Sequence, residues 1–234
     1  MTKKMLFLLC ILFCNRALFS MDIIQKYEQF THINNVFVDN GCRASQRLFV
    51  IEDDKITTEK EAESFFSGDS QLTFFDDFAF LSNTQGYWIM NKKMKMPLKI
   101  SGNYKVEEIE IQDVLRIDYA NDYKIYGQSE NELHLERTSK KMTYKYITFT
   151  YISDNTYQIH FLDKDKKQIK ELLYSARQVD DFYCFATIEI HSHVFTKNRY
   201  LKYETNGIEL MDIPYSLFTS MQMTNLIDYV KRRS

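Results

Sequence analysis

Two imidazoles and a carboxylate lie close together in the second half of the chain, at Glu189, His191 and His193. Alternate residues of a strand point to the same face, so these three side chains would share one face of the strand that we predict here. Imidazole nitrogen and carboxylate oxygen are zinc ligands. A catalytic zinc site, however, usually collects its ligands from several elements, and no second cluster accompanies this one. The pattern favours a solvated strand face, and we expect no metal and no cofactor.

Other residues that could perform catalysis lack the spacing that their chemistry needs. Asp163 and Asp165 lie in a predicted turn without the glycine and the later glutamate of a calcium-binding loop. The acid pairs at 53–54, 76–77 and 180–181 are adjacent, so on a strand their carboxylates would point to opposite faces. The six glycines are isolated, which excludes phosphate-binding loops and a nucleophile elbow. We therefore predict a binding protein and not an enzyme.

Residues 1–20 have the pattern of a secretory signal peptide. Lys3 and Lys4 precede an apolar run over residues 5–13, and Ala17 and Ser20 offer cleavage sites. The run is too short to span a bilayer, which takes roughly 20 residues. We predict export to the periplasm, with residues 21–234 as one domain. The alternative is a lipid anchor through Cys14.

The composition of the exported chain limits its partners. Residues 1–20 hold three basic residues and no acidic one, so their removal leaves a net charge of −5. That balance argues against nucleic acid, whose phosphates favour basic surfaces. Two cysteines remain, Cys42 and Cys184. They could form a disulfide in an oxidising compartment or stay as buried thiols, and their wide separation in the chain slightly favours thiols.

Apolar alternation predicts a series of antiparallel strands with polar turns between them. The pattern is clearest after residue 130, where apolar and polar residues alternate at spacings near ten. The predicted strands cover residues 35–38, 47–52, 71–75, 86–91, 97–101, 131–138, 144–152, 156–162, 168–175, 182–191 and 199–204.

Helical spacing is confined to short stretches. Ile23, Ile24, Tyr27 and Phe30 recur at helical intervals and predict a helix over residues 22–32. Residues 107–121 and 218–230 are predicted as further helices. Residues 53–68 are charged and are predicted as a loop or a short helix.

Three stretches resemble the outer-membrane lipoprotein-sorting protein family, the LolA/LolB-like carriers. Residues 86–101, with Trp88 in a strand and a basic turn before Ser101, are similar to the family's tryptophan strand, and Asp113 follows. Residues 152–174 are similar to its paired strands, and residues 208–219 to its closing segment. The three stretches agree with the family in order and spacing over residues 70–220.

The sequence departs from the family pattern at identifiable positions. Asp165 and Lys166 stand where the family has a turn glycine, and Gln158 stands where it has a strand proline. The N-terminal third matches poorly. Arg43 and Arg47 are the candidates for the arginine that latches the family's lid. These departures concern the lid and the hand-over step more than the fold.

The resemblance implies an α+β, mostly β fold: a strongly curved antiparallel sheet, an incomplete β-barrel, with a few covering helices. It also implies an apolar cavity between sheet and helices that takes acyl chains. Burying about a dozen methylenes at about 0.8 kcal/mol each would drive binding without chemistry. The 18 phenylalanines and 10 methionines would suit a cavity that has to release its ligand.

We therefore predict a periplasmic carrier for lipoproteins or related lipids. The resemblance implies an inner-membrane exporting transporter and an outer-membrane acceptor as partners, and we expect a monomer. The alternative is an envelope-stress sensor or interaction module with the same fold. By strand alternation, the residues predicted to line the acyl cavity are Trp88, Met90, Leu98, Ile100, Leu133, Leu135, Ile147, Phe149, Ile159 and Phe161.

Overall fold

The computed structural model describes residues 22–39, 41–76, 78–91, 93–102, 104–106, 109–110, 117–138, 143–192 and 198–223. The predicted signal peptide lies outside these ranges, as do Asp113, His193 and most of the helix predicted at 218–230.

The described residues contain few helices and many strands. The helices are α1 (Ile23–Asp39), α2 (Tyr119–Asp122) and a 3₁₀ helix (Tyr215–Leu217). The strands are β1 (Cys42–Glu52), β2 (Lys55–Ser67), β3 (Ser70–Phe75), β4 (Phe78–Asn83), β5 (Gly86–Asn91), β6 (Leu98–Ile100), β7 (Lys105–Val106), β8 (Ile109–Glu110), β9 (Tyr123–Gln128), β10 (Glu132–Arg137), β11 (Tyr146–Ser153), β12 (Thr156–Leu162), β13 (Gln168–Val179), β14 (Phe182–Ser192) and β15 (Arg199–Leu210).

Within the described residues, thirteen strands form one antiparallel sheet, in the order β6-β5-β4-β3-β2-β1-β15-β14-β13-β12-β11-β10-β9. Neighbours in the chain are neighbours in the sheet, except that β1 pairs with β15, from Cys42 opposite Leu210 to Glu52 opposite Arg199. The sheet is not closed, because β6 and β9 are its two free edges. The small hairpin β7-β8 stands apart from it.

Helix α1 lies on one face of this sheet, which we call the inner face. It contacts β2, β14, β11 and β10. In a flat sheet β2 and β10 would lie seven strand spacings apart, about 34 Å. A helix of 17 residues is only about 25 Å long. The sheet therefore curves around the helix, which confirms the predicted curved, mostly β fold.

The helix is longer than predicted and replaces the strand predicted at 35–38, which is wrong. Ile23, Tyr27, Phe30 and Ile33 are buried at helical spacing, and Val36 continues the same face. Asn34, also on the helix, donates from Nδ2 to the carbonyl oxygen of Ile117 at 2.7 Å. Val36, which lies in the stretch that resembles a short strand, thus belongs to the buried face of the helix.

The loop or short helix predicted at 53–68 is also wrong, because Lys55–Ser67 forms the long strand β2. Its first seven residues are mostly exposed, so no apolar alternation marks them. The sequence feature that indicates strand β2 is the turn that precedes it. Asp53 and Asp54 have φ values of 46° and 61°, the left-handed backbone that a two-residue hairpin requires and that aspartate tolerates.

Three further elements differ from the prediction. Strand β4 was not predicted, because its first four residues are buried and therefore apolar on both faces. Strand β9 was not predicted either, since it is an exposed edge. The helix predicted at 107–121 is wrong at Ile109–Glu110, which form β8, and helix α2 occupies only Tyr119–Asp122.

The remaining predicted strands are confirmed, most closely β10 to β15. The turn at Asp163 is confirmed as a turn: one carboxylate oxygen of Asp163 accepts the backbone N–H groups of Asp165 and Lys167 at 2.8 and 2.9 Å. Lys166 has a positive φ of 63° there. The carboxylate considered above as a calcium ligand holds the hairpin loop together.

The outer face of β2 to β5 is covered by the segment 211–223. Ile213, Phe218 and Met223 from this segment form a second apolar cluster with Phe65, Leu72, Leu81, Trp88 and Met90. Side chains of the sheet hold its backbone: Ser67 donates to the carbonyl of Ile213 at 2.7 Å, and Asn83 to the carbonyl of Phe218 at 2.8 Å. This half of the sheet is therefore buried on both faces.

Gly41 allows this segment to approach the start of β1. A Cβ atom on Gly41 would lie 2.5 Å from the carbonyl oxygen of Met211 and 3.2 Å from the amide nitrogen of Ile213. We expect Gly41→Ala to reduce the free energy of unfolding by about 1–3 kcal/mol, measured by urea denaturation. Gly207→Ala is the control, since its Cβ would lie no closer than 3.9 Å to any neighbouring atom. Equal midpoints for both variants would contradict this account.

Candidate binding site

Three rows of side chains cross the inner face, each defined by the register of neighbouring strands. The first row is Leu135, Ile147, Phe161 and Lys170. The middle row is Leu133, Phe149, Ile159, Leu172, Ile190 and Leu201. The third, which we call the tyrosine row, is Tyr151, Tyr157, Tyr174, Ile188 and Tyr203.

Helix α1 fills the concavity above these rows with aromatic side chains. Phe30 is fully buried, and its ring centroid lies 5.2–5.4 Å from those of Tyr119, Phe149, Tyr157, Tyr174 and Phe185. The ring of Tyr27 meets Phe149 edge-on at 5.2 Å. Ring pairs at these separations contribute beyond their buried area. The helix is thus bound to the sheet through aromatic packing centred on Phe30.

Buried hydrogen bonds join the helix to residues 117–123. The hydroxyl of Tyr27 donates to the carbonyl oxygen of Tyr119 at 2.9 Å, beside the bond from Asn34 to Ile117. Tyr119 is fully buried, and its hydroxyl lies 2.8 Å from that of Tyr174 on the sheet. Burial, with the nearby Tyr174, holds the pKa of Tyr119 well above its ordinary value. The hydroxyl of Tyr119 therefore stays neutral and acts as a hydrogen-bonding group.

The tyrosine row places hydroxyl groups at one end of an otherwise apolar face. Tyr157 is fully buried, and in the described part of the structure its hydroxyl has no hydrogen-bond partner. Burial, and then the charges that would form at Tyr151 and Asp154, raise the pKa of Tyr157 to about 12. The hydroxyl of Tyr151, nearer the surface, donates to Asp154 at 2.6 Å. The inner face thus combines apolar walls with a row of tyrosine hydroxyl groups at one end.

Six of the predicted cavity residues lie together on the inner face: Leu133, Leu135, Ile147, Phe149, Ile159 and Phe161. Ile100 is partly buried against the same cluster. Leu98 is 51% exposed on the edge strand β6.

Trp88 and Met90 do not share that face. They lie in the outer-face cluster beneath segment 211–223, because Tyr87 and Ile89 are the residues of β5 that point inward. The prediction chose the wrong alternate residues of β5 as the inward-facing ones, so it assigned Trp88 and Met90 to the inner face. Sequence reasoning also left out Tyr27 and Phe30, although their helical spacing was visible, and Tyr119, which follows no periodic pattern.

Glu189 and His191, which we predicted to form a solvated strand face and not a metal site, lie on the outer face. Nε2 of His191 is 3.7 Å from Glu189, and its ring stacks on Tyr200 with centroids 4.6 Å apart. His193 lies outside the described residues. Among the residues that are described, no three His, Cys, Asp or Glu side chains are placed to hold a metal ion.

A cavity of about 310 Å³ opens near the ends of β2 to β5, away from the three rows. Its walls include Asp69, Gln71, Asn83, Asp118 and Asp122. Such a polar lining does not suit an acyl chain, because the carboxylates and amides would lose hydration against methylenes.

The two cysteines are separate, buried thiols in the structure. Burial raises the pKa of both, and Cys184 adds to the effect on Cys42. Since the thiolate is the reactive form, neither is a good nucleophile at neutral pH.

The two candidate latch arginines pair with neighbouring strands. Arg43 forms ion pairs with Glu63 on β2 and Glu209 on β15. Arg47 pairs with Glu59 on β2 at 3.5 Å and Glu204 on β15 at 3.4 Å. Among the described residues neither arginine pairs with α1, whose contacts there include the aromatic packing and the bonds from Tyr27 and Asn34.

Solved structures share this architecture, whereas no family model and no curated protein matches the sequence. A LolA superfamily protein from Nitrosomonas europaea aligns with a TM-score of 0.67 at 13% identity, over 86% of this chain and 98% of that one. The chain has the LolA fold. A domain named for outer membrane lipoprotein sorting, from Vibrio parahaemolyticus, aligns at 0.63 and 15% identity, covering 86% and 97%.

The LolA fold also extends to a protein of the DUF1329 family from Desulfovibrio piger, with a TM-score of 0.63 at 13% identity over 87% of this chain and all of that one. At 13–15% identity, these structural likenesses show the fold alone. The fold is one that proteins of outer-membrane lipoprotein sorting adopt. No helix among the described residues is long and apolar enough to cross a membrane.

The two kinds of buried hydroxyl on the inner face should respond differently to removal. Tyr119→Phe deletes the bond to Tyr174, and we expect it to lower the free energy of unfolding by about 1 kcal/mol. Tyr157→Phe deletes a buried hydroxyl without a partner in the described structure, so stability should be unchanged or slightly higher. Urea denaturation measures both, and a larger loss for Tyr157→Phe would show that its hydroxyl is bonded.

Proposed function

We propose that this protein is a periplasmic carrier that binds acyl chains of lipoproteins or related lipids on the inner face, in the volume that α1 fills here. One observation carries the proposal: in a LolA fold, the concave face is covered by a helix whose aromatic side chains, led by Phe30, occupy the apolar surface. A long chain of methylenes could take the place of those rings.

A long acyl chain can compete with the helix for the inner face. Tyr27, Phe30 and Ile33 each contribute about 1.5–3 kcal/mol through burial of their side chains, and Ile23 and Val36 are buried beside them. An acyl chain of about a dozen methylenes would contribute about 10 kcal/mol, which is of the same order. The exchange is therefore close to balanced, and the helix can return to the face when the chain leaves.

The helix is held by contacts that can be broken at modest cost. The hydrogen bonds from Tyr27 and Asn34 to residues 117–123 contribute about 0.5–1.5 kcal/mol each. Because Arg43 and Arg47 pair within the sheet, opening breaks no ion pair of either arginine. We infer that cargo itself displaces α1.

In this proposal the protein binds and releases its cargo without catalysing a reaction. Residues 21–234 act as one domain after removal of the signal peptide. The cargo comes from an inner-membrane exporting transporter and goes to an outer-membrane acceptor, with the carrier acting as a monomer. The raised pKa values of Cys42 and Cys184 support a role without nucleophilic chemistry.

A second candidate is an interaction module or envelope-stress sensor in which α1 never leaves. The complete burial of Phe30, Phe149 and Tyr157 favours it, because a core packed this closely can be permanent.

A matched pair of variants separates the two candidates. Phe30→Ala removes the ring at the centre of the aromatic contacts between α1 and the sheet. Phe218→Ala removes an equally buried ring from the outer-face cluster. Each should cost about 3–5 kcal/mol of unfolding free energy. If α1 competes with cargo, Phe30→Ala should bind a fluorescent fatty acid about tenfold more tightly than the wild type, because the closed state is weakened.

Phe218→Ala should bind that probe as the wild type does. The carrier proposal fails if the wild type binds no acyl probe, or if both variants change affinity equally. In either case the interaction module takes its place.

A further inference from the structure

Tyr157 carries a buried hydroxyl group that has no hydrogen-bond partner among the described residues. The whole side chain is buried, so the hydroxyl has lost its hydration on folding. A buried donor without a partner is costly, and phenylalanine would fill the same place on β12 without that cost. The hydroxyl of Tyr157 is therefore a candidate for a bond to a ligand of the inner face.

The tyrosines on either side of Tyr157 already use their hydroxyl groups. In register, Tyr157 lies opposite Tyr151 of β11 and opposite Tyr174 of β13. The hydroxyl of Tyr151 donates to Asp154 at 2.6 Å, and the hydroxyl oxygens of Tyr174 and Tyr119 lie 2.8 Å apart. The middle one of these three neighbours in the tyrosine row is thus the one whose hydroxyl can still take a partner.

Tyr157 adjoins the apolar surface that the helix covers. On β12 it alternates with Ile159 and Phe161, so these three buried side chains share the inner face over about 13 Å. The ring centroid of Phe30, on α1, lies 5.4 Å from that of Tyr157. An acyl chain that replaced Phe30 would lie on Ile159 and Phe161 and would have the phenol of Tyr157 at one end.

The charges at this end of the row favour an uncharged acceptor. Burial, above all, raises the pKa of Tyr157 to about 12, so its hydroxyl is a neutral donor at neutral pH. Lys26 of α1 lies over the ring of Tyr151, with its Nζ 4.1 Å from the ring centroid, and would leave with the helix. Asp154 belongs to the turn between β11 and β12 and would stay. An anionic head group would therefore meet a carboxylate here, whereas a carbonyl oxygen accepts a bond without bringing a charge.

We propose, on the basis of the proposed function of the inner face, that Tyr157 recognises the head of the cargo by donating a hydrogen bond to an acyl carbonyl oxygen. The carbonyl belongs to an ester, as in a glyceride, or to an amide, as in an N-acylated chain terminus. The cargo is then an esterified or amidated acyl chain and not a free fatty acid.

A hydrocarbon reporter separates this hydrogen bond from apolar binding. The reporter is diphenylhexatriene, which is fluorescent and contains no oxygen or nitrogen. Its competitors are methyl dodecanoate, N-methyldodecanamide and dodecanoate, which share one chain and differ in the head group. In Tyr157→Phe the affinity for the reporter should not change, whereas the ester and the amide should bind about threefold to tenfold more weakly. In the wild type, dodecanoate should bind more weakly than methyl dodecanoate at neutral pH.

Tyr151→Phe is the matched control, because it removes from the same row a hydroxyl that already donates to Asp154. It should leave the affinities for the ester and the amide as they are in the wild type. Infrared spectroscopy of methyl dodecanoate, isotope-labelled at its carbonyl, adds a direct signature. The C=O band of the bound ester should lie at a lower frequency in the wild type than in Tyr157→Phe, because a hydrogen bond weakens the C=O bond.

The outcomes separate the role of Tyr157 from the function of the inner face. If the wild type binds none of the acyl competitors, the proposed function itself fails. If it binds them, but Tyr157→Phe changes neither the ester and amide affinities nor the C=O band, the acyl site stands and the role of Tyr157 is wrong. A preference of the wild type for dodecanoate that Tyr157→Phe abolishes would overturn the assignment to an uncharged carbonyl. A larger loss for the ester than for the amide indicates a glyceride source, and the reverse indicates an N-acyl source.

Discussion

The packing of Phe30 against the inner face is the interaction on which the rest of the structure depends. Its ring meets side chains from α2 and from β11, β12, β13 and β14, so one residue of the helix joins four strands of the sheet. The helix is shorter than the flat distance between the strands it contacts, and the sheet bends to meet it. The curvature of the sheet, the main core and the candidate site therefore all depend on the packing of α1 against the inner face.

The two halves of the sheet differ in what covers them. Strands β2 to β5 are buried on the inner face by the main core and on the outer face by segment 211–223, which is bonded through Ser67 and Asn83. Strands β10 to β14 carry polar side chains outside, such as His160 beside Glu171, and meet α1 inside. In the proposed carrier, the first half would serve as a fixed frame, and α1 would be the cover that leaves the second half when cargo binds.

The sequence predicts strands and their inward faces well where one face is exposed to solvent and the other is buried. Only such strands show alternation of apolar and polar residues. For that reason the six residues predicted on β10, β11 and β12 share one face of the sheet, as the alternation indicated. The prediction failed on β5, where both faces are buried and parity carries no information, so Trp88 and Met90 were assigned to the wrong side. The sequence also failed to predict strand β2, because the charged residues at its start lie outside the core.

The central claim is that cargo replaces α1 on the inner face. Hydrogen–deuterium exchange of the protein with and without bound palmitate tests it most directly, with segment 211–223 as the internal reference. The account predicts that amides of Ile23–Asp39 exchange faster in the loaded protein, while those of β11 to β13 and of the reference segment stay protected. Unchanged or slower exchange in α1, in a sample that demonstrably holds the ligand, would contradict it.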